Sequence, residues 1–304
     1  MNVMTLNAPT FDRKKLAMDA MKVSIKARKV AGGDHISPIN VYDACEAHGV
    51  IVRFNDISME GMYDRHPKPR IHISALRPLA RRNLTCAHEL GHHVFGHGST
   101  IDELNDRVHV ADHNDPTEFI ANQFAYFFTM PTLGIRNALA SRNLNLSQVS
   151  AKQLFAVSSN FGVGYTTLLT HLRYSLNLLP DHQFQALRRV APKALRSEIL
   201  QFETNTPVVL VDEQWSSPTI DLETGDYLVL PSELPVVPEQ LHPVGRVPDG
   251  FAYESCRVGI GRADITGLGL RCFVRVARRS TVNGQAVGYI GLARYRHMED
   301  DDDE

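Results

Sequence analysis

The residues best suited to chemistry fall in one short run, His88-Glu89-Leu90-Gly91-His92. Two histidines four positions apart suit a helix, where about 400° of rotation brings both onto one face, one turn apart. Their imidazoles can then converge on one Zn²⁺ at about 2.0–2.1 Å. Glu89 lies about 100° round from His88, at the edge of that face. It is placed to act as a general base on a water beside a Lewis acid, not as an obvious ligand. Leu84, Ala87, Leu90 and Phe95 give the stretch 84–97 an apolar side. The helix that carries the pair is therefore expected to be buried on one flank, where histidines without a task are costly.

A hydrolytic zinc site takes three protein ligands and keeps one position open. A three-histidine pattern would need Gly at 95 and His at 98, and the chain has Phe95 and Gly98. His97 follows His92 by five residues, about 140° round a continuing helix, and so is expected to point away. His93 is on a neighbouring azimuth and reads as a packing or hydrogen-bonding residue. His109 and His113, in a polar loop, stay open as ligands. Glu118 is the stronger candidate, on the next helix, DPTEFIANQFAYFFTM (115–130). It would complete the two-His, one-Glu set used for peptide hydrolysis. A first-turn acid that favours the helix dipole is the alternative reading of Glu118. Asn122, four residues on, shares its face and could orient it. Mn²⁺ or Fe²⁺ would suit the same donors, because affinity order and availability both act. His93, His109, His113 and Tyr126 are the candidates for a second donor to the transition-state oxyanion.

LTCAHELGHHVFGH (84–97) followed by EFIANQFAYFFTMP (118–131) resembles the ImmA/IrrE family of metallopeptidases. The upstream SPINVYDACEAHGVIVRF also resembles the family's leading helix and strand, so the likeness covers roughly 37–180. The resemblance implies His88, His92 and Glu118 as zinc ligands and Glu89 as catalytic base. It also implies a substrate class: helix-turn-helix repressors cut once, which de-represses stress-response or mobile-element genes. Some members carry a helix-turn-helix-like segment after the peptidase and a GAF-like sensory domain after that. LFAVSSNFGVGYTTLLTHLRYSLNL (154–178) resembles the first, and the β-rich end with GQAVGYIGLARYR (284–296) could be the second.

The surrounding elements agree with that placement. Residues 11–31 read as a loosely amphipathic helix, and Ser37 reads as an N-cap with Pro38 opening a helix over 39–48. Residues 50–56 and 71–74 read as strands, with 60–70 as a hairpin connection. Residues 148–178 read as helix, turn at 161–164, helix, and a third helical stretch lies near 182–203. The rest is β-rich, except that five prolines in 231–248 predict an ordered loop there. The fold expected is α+β, with a gluzincin-like, mainly helical zinc peptidase domain and a small sheet over 1–147. A helix-turn-helix-like segment follows over 148–203, then a β-rich, GAF-like candidate over 204–297, and an acidic solvated tail over 298–304.

Composition excludes other classes. The 304 residues are 43% apolar and carry 32 basic against 34 acidic side chains. That balance argues against a generic polyanion binder and against disorder. No apolar run approaches 18 residues, and the start lacks the order of a signal peptide. Cys45, Cys86, Cys256 and Cys272 read as free thiols, so the expectation is a cytoplasmic protein without membrane contact. The second helix of the 148–178 segment offers only His171 and Arg173 among threonines, which favours packing or substrate docking over DNA reading. Two other functions compete. One is an anti-phage or toxin–antitoxin component with a different protease target. The other is a non-enzymatic regulator with structural zinc, although structural zinc prefers four closed ligands, usually with Cys.

Overall fold

A computed structural model of the chain describes residues 11–55, 60–102, 115–265, 269–282 and 285–288. The stretch holding His109 and His113, the acidic tail and most of GQAVGYIGLARYR lie outside the described residues. The architecture is mixed α+β. The first helix, α1 (Arg13–Val30), starts where the Asp12 side chain accepts from Lys15 N. The second, α2 (Val41–Ala47), is capped by Asn40, not by Ser37. The reason is local: Asp34 accepts from both the backbone N–H and the hydroxyl of Ser37, at 2.6 and 2.7 Å, so that hydroxyl is already engaged in a turn.

Four strands follow the order β1-β3-β2-β4 in one sheet: β1 (Ile51–Asn55), β2 (Gly61–Asp64), β3 (Arg70–Ser74) and β4 (Thr100–Asp102). The expected strands are present, but β1 and β3 are parallel, and the supposed connection over 60–70 contains β2, antiparallel to β3 and β4. Its four residues are too few to show a clear alternation in the sequence. Across this sheet lie α3 (Leu79–Phe95) and α4 (Pro116–Thr129). Their shared core includes Val52, Ile71, Ile73, Ala87, Leu90, Phe124 and Phe128. Gly91 lets the two helices close, since a Cβ there would sit 3.0 Å from the Phe124 ring and 3.4 Å from Ala121 backbone.

Pro131 then caps α5 (Thr132–Ser141), a helix the sequence reading did not mark. A Ser150/Gln153 capping box opens α6 (Ala151–Asn160), and after the expected turn comes α7 (Tyr165–Thr170), which widens into a π-helix over His171–Ser175. The third helical stretch is two helices, α8 (Asp181–Leu187) and α9 (Pro192–Leu200). A second core joins α5–α9 to the first strands of the C-terminal region.

That region is β-rich, as expected. Strands β5 (Val208–Leu210), β7 (Tyr227–Leu230), β9 (Gly250–Ser255) and β8 (Leu241–Val247) form one sheet in that order. Strands β10 (Gly259–Ile265), β11 (Leu270–Ala277) and β6 (Thr219–Glu223) form another, and β12 (Arg279–Val282) pairs with β13 (Gln285–Gly288). Leu222, Leu228, Tyr253, Val274 and Val276 belong to the core these sheets share. The proline-rich stretch is not only loop. Strand β8 runs through Pro243 at the edge of its sheet, with the register broken between Pro243 and Gly245. Edge strands and bulges are where a residue without an N–H is tolerated. No helix among the described residues is long and apolar enough to cross a membrane.

Candidate metal centre

His88 and His92 lie on the C-terminal half of α3, one turn apart, with Nε2 facing Nε2 at 2.9 Å. Glu118, in the first turn of α4, puts one carboxylate oxygen 3.2 Å from His88 Nε2 and the other 3.5 Å from His92 Nε2. The donor atoms of these three residues all lie within 4.8 Å of one another. The helix-dipole reading of Glu118 therefore does not exhaust its role. Burial would raise its carboxyl, but hydrogen bonds and charge from the two histidines outweigh that and hold it below the ordinary carboxylate range.

The far side of each imidazole is engaged. Asn122, expected to orient Glu118, instead places Oδ1 3.1 Å from His88 Nδ1, one turn along α4 from Glu118. With Nδ1 donating to that oxygen, the Nε2 lone pair is left facing the cluster. His92 Nδ1 is 3.0 Å from His97 Nδ1. This corrects the expectation that His97 points away. The 140° rotation assumed a continuing helix, but Gly96 caps α3 in the left-handed region at φ 72° and turns His97 back onto His92. The glycine was the available signal. Two imidazole lone pairs facing each other beside a carboxylate are a donor set that fits a divalent cation, and three ligands without cysteine resemble a catalytic more than a structural zinc site.

Glu89 is fully buried, on the flank of α3 that faces β2. A Cβ on Gly61 would come within 2.6 Å of both Glu89 Oε1 and Thr85 Cγ2, so a side chain there would displace this carboxylate or Thr85. No feature of the sequence around Gly61 announces that approach. His93 is drawn to the sheet instead, with Nδ1 2.8 Å from Tyr63 Oη. Burial, with help from the charge of His48, lowers its pKa. It does not join the His88–His92–Glu118 cluster.

A cavity of about 2070 Å³ opens beside the cluster, lined by His88, Glu118, Asn122 and Tyr126 on one side and by Asn160 and Thr166 of the α6–α7 pair on another. Tyr126 continues the 118–122 stripe by one further turn. Two polar residues of the π-helical turn make contacts within the chain. Arg173 pairs with Asp181 at 3.2 Å, and buried His171 bonds Met130 O at 2.9 Å.

A histidine pair on one helix and an acid on the next, under a small sheet, define a metallopeptidase-type site of the H-E-x-x-H kind. Residues 45–172 match the model of the peptidase M78 family, described as the IrrE N-terminal-like domain. No curated protein matches the chain. A Mycobacterium tuberculosis transcriptional regulator is similar in structure at a TM-score of 0.35 and 13% identity, over 53% of this chain and 51% of that one. The present chain thus spans about half the length of that relative.

Proposed function

We propose that the chain is a zinc-dependent endopeptidase whose substrate is a helix-turn-helix transcriptional repressor, cleaved to release stress-response or mobile-element genes. The observation that carries the hydrolytic part is the convergence of His88 Nε2, His92 Nε2 and Glu118 with both Nδ1 atoms engaged elsewhere. These three residues would hold the ion. When bound, it supplies a Lewis acid for the scissile carbonyl and makes water acidic enough to attack at neutral pH. Glu89 would take a proton from the attacking water and deliver it to the leaving amine. Tyr126, on the cavity wall, is favoured over His93 as the second oxyanion donor, since His93 is held on Tyr63.

The repressor substrate rests on the resemblance to the family and on the volume of the cavity beside the cluster. The α6–α7 pair serves as a cavity wall and substrate seat, not as a DNA reader, because its second helix spends Arg173 and His171 on internal contacts. The β-rich region, read as GAF-like, would carry the activating signal in the cytoplasm. The test is co-incubation of the purified chain with a repressor encoded beside it. One cut, abolished by a chelator and by Glu89→Gln, is the expected result. Intact repressor with zinc present contradicts the substrate. Cleavage at the parental rate by Glu89→Gln contradicts the base.

A further inference from the structure

The N-terminal half of α3 makes a second set of buried polar contacts, which the peptidase reading does not use. Arg82 is fully buried. Its Nε donates to Arg77 O at 2.8 Å, and its terminal nitrogen pairs with Glu223 on β6. Glu223, also buried, takes a second guanidinium from Arg279 at 2.9 Å, and Arg279 reaches Asp226 at 2.7 Å. The acids are fixed by backbone as well: Glu223 N donates to Asp226 Oδ2 at 2.8 Å, and the Ser255 hydroxyl donates to Glu223 O at 2.5 Å. The next residue of α3, Asn83, donates to Gly162 O at 2.9 Å in the turn between α6 and α7. Two consecutive residues, about 100° apart on the helix, thus tie α3 to both downstream units.

Stability does not explain such a junction. A buried ion pair is often no more stabilising than apolar side chains of the same volume. What it does fix is registry, because an apolar interface tolerates small rotations that a seated guanidinium does not. Arg82, Cys86 and Glu89 fall on one stripe of α3, at about 40° and −20° from Arg82. The rotation that Arg82 sets is therefore the rotation of Glu89, and His88 and His92 turn with it. Glu118 sits on a different helix. Turning α3 by about 10° would move atoms about 6 Å from its axis by about 1 Å relative to Glu118. Displacements of that size can cost about 10² in activity.

We propose that Arg82 is a positioning residue seated in the Glu223–Asp226–Arg279 cluster, so that the C-terminal β unit sets the rotation of α3 and with it the convergence of His88 and His92 on Glu118. Its consequence for the metal rests on the zinc-peptidase reading.

The experiment uses the full chain. Arg82→Met with Glu223→Leu removes the pair and leaves Arg279 with Asp226, so no charge is stranded. The control is Arg142→Met with Asp212→Leu, which removes another pair between the helical and β regions, bonded at 2.6 and 2.7 Å and away from α3. Zinc affinity is read by competition with a chromogenic chelator, and amide exchange over 84–95 by mass spectrometry, at a temperature where circular dichroism shows every chain folded. The expected result is about tenfold weaker zinc binding and faster exchange over 84–95 in the Arg82/Glu223 chain only. Arg82→Lys should fall between that chain and the parent. Parental affinity with parental exchange overturns the proposal, and so does an equal loss in the control. Should the double variant fail to fold, Glu223→Gln is read the same way. Should the parental chain bind no zinc, the peptidase reading fails, and exchange over 84–95 alone decides whether the brace exists.

Discussion

The two ends of α3 both bury polar side chains, and they do so in opposite ways. At the N-terminal end, Arg82 and Arg279 meet Glu223 and Asp226, two cations against two acids, each held by further hydrogen bonds. At the C-terminal end, two imidazoles turn their Nε2 atoms toward one another and toward a single carboxylate, and their other nitrogens are already committed. The first cluster balances its charges from within the chain, although Arg82 keeps one buried guanidinium nitrogen without a hydrogen bond. The second asks for a cation from outside. Burial of polar groups alone thus does not mark a functional site; the mark is a donor set whose members satisfy each other poorly.

The comparison breaks most decisively at Glu89. Glu89→Gln is expected to lower cleavage by about 10³-fold or more while one zinc per chain is retained, as measured by single-turnover cleavage and metal analysis. At the other end, Arg82→Ala should leave zinc stoichiometry unchanged but lower unfolding free energy by about 3 kcal/mol in a denaturant titration, since Glu223 loses a buried partner. A stability loss near zero would mean that the Arg82 cluster is not closed in the way described. Asn122→Ala should weaken zinc affinity by about tenfold, measured against a competing chelator, with little change in unfolding free energy.

His171 sharpens the contrast in the mildest way. Burial pushes its pKa down to about 3, against the opposing bond to Met130 O. The folded state therefore prefers the neutral ring. That preference contributes fully above the unfolded value of about 6.5 and is lost as pH falls from there toward 3. His171→Gln should unfold with a shallower loss of stability over that interval. Parallel curves for the two chains would contradict the burial.

Much of the centre was legible because its information is local. The spacing of His88, Glu89 and His92 follows from one helical period, and Glu118 and Asn122 from the next helix. The features that stayed hidden depend on partners far off in the chain or on a break in periodicity. His97 reaches His92 only because Gly96 ends the helix. The closeness of Gly61 to Glu89 depends on β2, a strand of four residues. Arg82 and Glu223 are 141 positions apart, and no periodicity links them. In the fold, α5 was missed behind Met130-Pro131, and Pro243 hid an edge strand that tolerates it through a bulge. The parallel pairing of β1 with β3 is a tertiary choice that alternation cannot reveal.

Zinc stoichiometry bears most directly on the account. Purified chain, stripped with chelator and titrated with zinc, is expected to bind one ion tightly, and His88→Ala and Glu118→Ala are each expected to bind none at the same concentration. A parental chain that takes up no zinc, or a His88→Ala chain that holds a full equivalent, would contradict it.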